Sequence, residues 1–167
     1  RKRFTSLPQG VTFAVEGKEW VRKTLEEMAF ALGGRSITIP PQYRSLYHAS
    51  AVLTCGYLAT LIKSATELWG IMGFTQEEAL KGLLLLAEST LRNIDTLGPE
   101  ESLTGPISRG DAAVVQMHLD ALANSMPGFM SLYSSLGLHS LRLSSSRMRR
   151  EDIETLKSLL SDTLYRN

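Results

Sequence analysis

A chain of 167 residues, 43% of them hydrophobic, is long enough for one compact domain, or a small domain plus part of another, and apolar enough to bury a core. Its 18 Lys and Arg against 17 Asp and Glu leave a net charge of +1, which gives no basis for a nucleic-acid surface. The single cysteine, Cys55, excludes an intramolecular disulfide and a multi-cysteine zinc site, and fits a reducing cytoplasm.

The basic clusters Arg1-Lys2-Arg3 and Arg147-Met148-Arg149-Arg150 are short and read as solvated ends and turns. The longest weakly polar run, residues 49–62, stops at Lys63 and falls short of the about 20 apolar residues a membrane span needs, so no membrane partner is expected. No signal-peptide pattern opens the chain. It starts on Arg1 rather than on a methionine, and a preceding segment is expected.

In chain order, residues 11–15 (Val-Thr-Phe-Ala-Val) form a β-rich run ended by Glu16-Gly17. Residues 18–32 read as a helix, with Trp20, Leu25, Met28, Ala29 and Leu32 at helical spacing, and Gly33-Gly34 supply its stop. Residues 35–39 alternate polar and apolar like a second strand, which Pro40-Pro41 end. Pro41 suits a helix start, and from Gln42 to Met72 the chain reads as one helix of about 45 Å. Gly73 closes it. Thr75-Gln76-Glu77-Glu78 has the spacing of a capping box, opening a helix that runs to about Leu97 and breaks at Gly98-Pro99. Residues 98–110 read as a loop, after which Asp111 can cap a helix reaching Met126. Pro127-Gly128 break that helix, a further one spans roughly residues 129–138, Ser144-Ser145-Ser146 read as a linker or cap, and residues 151–165 form a last helix. Its acids come early, with Lys157 and Arg166 late, as the helix dipole prefers. There is no internal repeat.

The expected fold is mainly α: a helical bundle built on one long central helix, preceded by a short β-α-β remnant. Two parallel strands joined by a crossover helix are not a stable sheet alone, because such strands normally sit in larger sheets covered on both faces. The missing strands are expected from a preceding segment or another molecule; the alternative is an α+β domain that pairs the two strands antiparallel.

Most chemical signatures are absent. There is no G-x-G-x-x-G, no G-x-x-x-x-G-K-[ST], no H-E-x-x-H and no nucleophile elbow. His48, His118 and His139 lack metal-ligand spacing, so no metal is expected; His118 reads as structural or surface, and His139 falls in an expected turn. Tyr47-His48 lies one to two turns into the long helix, with His48, Val52 and Gly56 on one face. An imidazole there can donate to a substrate carbonyl or act as general acid–base, or it can bond a backbone group and orient a hinge. In the turn-rich segment Gly105-Pro106-Ile107-Ser108-Arg109-Gly110-Asp111, Arg109 can hold a carboxylate or phosphate bidentately, or pair with an Asp to brace the loop. Asp111 can be no more than a helix cap. Cys55 reads as an inert packing residue.

The stretch Leu46-Tyr47-His48-Ala49-Ser50-Ala51-Val52, followed by Leu103-Thr104 and the glycine-rich segment to Asp111, resembles a family of bacterial proteins in which a Rossmann-like NAD(P)-binding domain precedes an all-helical domain of unknown function. The family is similar in architecture to pyrroline-5-carboxylate reductases and β-hydroxyacid dehydrogenases. The resemblance implies that residues 1–40 close the Rossmann-like domain and residues 41–167 form a helical substrate and dimerisation domain. It further implies NADP or NAD, bound mainly by the missing N-terminal segment, a small-molecule substrate, and a homodimer in the cytoplasm. His48 is the implied catalytic residue, and Tyr47, Thr54, Gly56, Gly105, Arg109 and Asp111 the implied substrate contacts. Gly56 departs from the family's pattern, which often has Asn in a stretch that reads Thr54-Cys55-Gly56-Tyr57-Leu58 here. An amide there could bond substrate or cofactor, and a glycine cannot. Three functions are therefore carried forward: an NAD(P)-dependent oxidoreductase part; a non-catalytic dinucleotide-binding sensor or scaffold; and a structural helical dimer. The last draws on the several apolar faces formed by Val52, Leu53, Leu58, Leu61 and Ile62.

Overall fold

The structure, a computed structural model, describes residues 9–165, with the side chain of Tyr165 left out. The cluster Arg1-Lys2-Arg3 and Arg166 lie outside the described residues. The chain divides into two compact units, one ending at Leu61 and the next beginning at Ile62. This division by contact is distinct from the change of architecture expected at residue 40.

In the first unit, β1 (Thr12–Val15), α1 (Glu19–Ala31) and β2 (Arg35–Thr38) form the expected β-α-β. The strands are parallel, with Thr12 opposite Arg35 and Val15 opposite Thr38, which removes the antiparallel alternative. Gly33 and Gly34 explain the sharp return. Gly33 takes φ +76°, its N–H bonds the Phe30 carbonyl (2.9 Å), and the Gly34 N–H bonds that of Ala29 (3.0 Å), the paired bonds of a Schellman stop. A Cβ on Gly34 would lie 2.5 Å from the Val11 carbonyl oxygen, so backbone passes backbone where no side chain fits. The helical spacing marked α1 correctly but only part of its covered face: Ala29 is buried, whereas Trp20 is 71% and Met28 55% exposed.

A 3-10 turn, Pro41–Tyr43, leads into α2 (Arg44–Ala51), a π-helical turn, Val52–Gly56, and α3 (Tyr57–Ile71). The expected single α-helix is thus interrupted. The Tyr57 N–H bonds the Val52 carbonyl, one residue further back than α geometry allows. The alignment of His48, Val52 and Gly56 consequently fails beyond Val52. Hydroxyls bond back to carbonyls around this turn, Ser50 to Tyr47, Thr54 to Ser50 and Thr60 to Gly56, a pattern that loosens and bends helices. Cys55 is exposed, not a packing residue, because this stretch contributes nothing to the core. The run Pro41–Ile71 is also long and apolar enough, by length and composition, to cross a membrane. Ending the apolar run at Lys63 underestimates it: Lys63 pairs with Glu67 one turn on, at 3.2 Å, and the helix continues.

The second unit holds the main core. Here α4 spans Gln76–Leu97, α5 Pro99–Ser102, α6 Ala112–Ser125, α7 Met130–Ser144 and α8 Arg150–Tyr165. The capping box forms as expected: Thr75 Oγ1 accepts from the Glu78 N–H and the Glu78 carboxylate accepts from the Thr75 N–H, at 3.3 and 2.8 Å. Residues 98–110 are not all loop. Pro99 at the first helical position, with Glu100 and Glu101 in the first turn, starts the short α5. Val115 and Leu119 of α6, Leu141 of α7, and Leu156 and Leu160 of α8 make the buried cluster, so the bundle is packed on α6, α7 and α8. Gly137 does not end α7, which runs on through His139 to Ser144. At Gly137 α8 comes close: a Cβ there would lie 2.9 Å from Leu160 Cδ2.

Candidate functional site

The carboxyl ends of β1 and β2 meet the start of α2. Glu16, directly after β1, accepts from Arg44 Nε and Nη2 at 3.1 and 2.7 Å, a bidentate fork that ties α2 to the strand end. The contact holds the Arg44 guanidinium above its ordinary pKa, chiefly through the hydrogen bond and then through the carboxylate's charge. Two hollows flank the fork. One, of about 220 Å³, is lined by Val15, Glu16, Ile39, Arg44 and Tyr47. The other, of about 570 Å³, includes Lys18, Arg22, Thr38 and Pro40. His48, the next residue after Tyr47, is exposed and has no side-chain hydrogen bond among the described residues. Thr54 and Gly56 lie in the π turn, where the Thr54 hydroxyl is used internally. A Cβ at Gly56 would meet nothing nearer than Val52 Cγ1 at 3.8 Å, so a side chain has room there.

Gly105, Arg109 and Asp111 belong to the second unit. Their loop is fixed by its own backbone: the Arg109 and Asp111 N–H groups bond the Pro106 carbonyl (3.2 and 2.8 Å), and the Gly110 N–H bonds that of Ile107 (3.1 Å). Gly105 and Gly110 take φ +101° and +74°, which only glycine adopts without strain. Asp111 Oδ1 accepts from the Val114 N–H at 3.1 Å, the expected cap. Arg109 is exposed and makes no ion pair among the described residues, so the loop is not braced by an Arg109–Asp pair. Ile107 points into the core beside Gly137 and Leu160. The loop therefore carries, on a path set by its own backbone hydrogen bonds, a guanidinium without an ion-pair partner among the described residues.

Two arrangements carry no local sequence signal. One is the Glu16–Arg44 fork, between residues far apart in the chain. The other joins His118 Nδ1 of α6 to the Tyr133 hydroxyl of α7, 2.8 Å apart with the rings edge to face. Burial pushes the Tyr133 phenol above its ordinary pKa. The pair lines an apolar hollow of about 390 Å³ with Leu68, Ile71, Met72 and Leu122. No cluster of metal-ligating side chains occurs among the described residues.

Compared with known families, residues 11–140 match the domain of unknown function DUF2520. The chain belongs to that family. No curated protein matches this DUF2520 chain. Among solved structures it is similar to protein TM1727 from Thermotoga maritima, with 25% identity and a TM-score of 0.73 over 83% of this chain and 55% of the other. It is also similar to the "putative NADP oxidoreductase BF3122" from Bacteroides fragilis, again with 25% identity, at a TM-score of 0.67 over 80% of this chain and 50% of the other. The DUF2520 chain thus spans about half the length of these solved structures.

Proposed function

We propose that this chain is the substrate-side part of an NAD(P)-dependent oxidoreductase, with NADP or NAD held mainly by an N-terminal Rossmann-like segment. The observation that carries the reading is the parallel β1-α1-β2 unit whose carboxyl edge opens into two hollows, one of them lined by Tyr47, since open parallel sheets bind ligands at that edge. The similarity to the Bacteroides fragilis protein supports it. The exposed Trp20, Met28 and Phe30 of α1 are apolar surface that a further segment would cover.

The residues present fit one end of a dinucleotide. Lys18, Arg22 and Thr38 offer cations and a hydroxyl at the carboxyl edge, while the sequence lacks the glycine fingerprint that cradles a pyrophosphate. The dinucleotide, when bound, supplies the hydride chemistry. The chain's own part is to bind and orient. In the first unit Tyr47 closes the hollow and the exposed His48 imidazole donates to a carbonyl oxygen or relays its proton; in the second unit, taken by itself, Arg109 can hold a carboxylate or phosphate bidentately.

The test titrates the full-length gene product with NADPH by fluorescence and follows NADPH oxidation over a panel of small carbonyl and imine compounds. Saturable binding is expected, with turnover that His48→Gln lowers by about 100-fold at unchanged NADPH affinity. Absence of NADPH binding overturns the reading. A second reading, a dinucleotide-binding sensor or scaffold, is favoured by Gly56, which offers no amide to a ligand. NADPH binding without turnover on any panel member, and indifferent to His48→Gln, selects it.

A further inference from the structure

The hollow beside His118 and Tyr133 plays no part in the reading above. All of its lining residues belong to the second unit. Its volume, about 390 Å³, falls in the range of about 300–1,000 Å³ usual for ligand sites. His118, Ala121, Leu122 and Ser125 line it from α6, where helical spacing sets them on one face. Leu68, Ile71 and Met72, at the end of α3, supply further apolar surface. His118 is exposed and Tyr133 half-buried, so the polar pair stands at the mouth of a hollow made mostly of carbon.

The pair also fixes a hydrogen-bond donor. The Tyr133 hydroxyl has no other partner among the described residues, so it donates to His118 Nδ1, 2.8 Å away. Burial raises the Tyr133 pKa, which keeps the phenol protonated and able to donate. A neutral imidazole that accepts at Nδ1 carries its own proton on Nε2, and a protonated imidazole carries one there too. His118 Nε2 is a donor in both states, and it has no partner among the described residues. No carboxylate lines the hollow, and His118 is the one lining residue that can become a cation, so the lining is complementary to an anion. We propose that this hollow binds a small amphiphilic acid, its apolar chain against the α3 and α6 side chains and its carboxylate accepting from His118 Nε2. Tyr133 then acts as a positioning residue, since its hydroxyl holds the ring and sets the proton on Nε2. The site uses the second unit alone and does not rest on the cofactor reading.

The test titrates the full-length protein with octanoate, hexanoate and octanol, by calorimetry and by the nitrogen NMR signals of its imidazoles. Saturable octanoate binding is expected, and it should move the Nε2 signal of His118 while that of His48 stays still. Hexanoate should bind about 15-fold more weakly, since each buried methylene is worth about fourfold. Octanol should also bind more weakly than octanoate. His118→Phe should erase that preference, with octanoate affinity falling by about tenfold or more. Ala121→Trp fills the hollow from an exposed position on α6 and should abolish binding, with helical circular dichroism unchanged. Absence of saturable octanoate binding, movement of the His48 signal alone, a preference for octanoate that survives His118→Phe, or binding that survives Ala121→Trp overturns the proposal. So does a mass by light scattering that falls with Ala121→Trp, because the hollow then holds another chain.

Discussion

Gly137→Ala tests the packing that mounts the Arg109 loop. Gly137 is buried in the middle of α7, and an added Cβ would lie 2.9 and 3.1 Å from the two Leu160 methyls and 3.2 Å from Ile107 Cδ1. Leu160 is fully buried and belongs to the central cluster, so its methyls have little free space to turn into. Forcing a methyl into a filled core costs about 1–3 kcal/mol. Alanine in place of glycine within a helix returns about 1 kcal/mol. The core term wins by about 1 kcal/mol, which lowers the melting temperature by about 2–4 °C in a chain of this size. The matched control is Gly70→Ala in the last turn of α3, where an added Cβ meets nothing within 4 Å. There only the propensity gain acts, worth up to about 1 kcal/mol, and the melting temperature should rise. Thermal unfolding by circular dichroism reads both. If the two substitutions shift the melting temperature in the same direction, close approach of α8 is not why residue 137 is glycine.

Asp111→Ala should destabilise by about 1 kcal/mol through loss of the cap on α6, and Asp111→Asn should retain most of it; equal losses in a melting assay would remove the capping role. Ser134→Ala should raise the melting temperature, because the Ser134 hydroxyl is fully buried without a hydrogen-bond partner among the described residues, and leaving such a group unpaired costs about 1–3 kcal/mol. A fall would mean that the hydroxyl has a partner. Glu78 is held below its ordinary pKa of 4.5, first by the Thr75 hydroxyl and then by the Thr75 N–H. Since the fold favours the ionised form, its contribution is present above pH 4.5 and is lost as pH falls through the lower folded value. The stability advantage of wild type over Glu78→Gln should therefore shrink on acidification; a constant difference across a pH series of melts contradicts this.

Features encoded within a few residues were legible. Thr75 and Glu78 share one turn and satisfy each other, Gly33 and Gly73 reach positive φ where helices stop, and Asp111 bonds a donor three residues on. Features decided by distant neighbours were not. The sequence places Gly137 near the expected end of a helix at about residue 138, and only the approach of Leu160 from α8 explains it as a gap left inside a longer one. The π turn depends on the backbone bond from Tyr57 to Val52, which composition does not encode. Of the candidate site, Tyr47 was placed beside a hollow, and Arg109 was left without the partner that one reading gave it. The Glu16 fork and the His118–Tyr133 pair each join separate elements, so periodicity is blind to them.

The floor beneath Gly110 is Asp152, whose Cβ would lie 3.0 Å from a side chain added at that glycine. Asp152 stands in the first turn of α8, the last helix described, and is itself held by Arg149. The loop bearing Arg109 is therefore made well before the surface it rests on. During synthesis it leaves the ribosome able to make its own backbone bonds but without the face that α8 lays beneath it once docked through Leu156 and Leu160. A stop codon ahead of α8 would spare every residue of the loop and still take that face away.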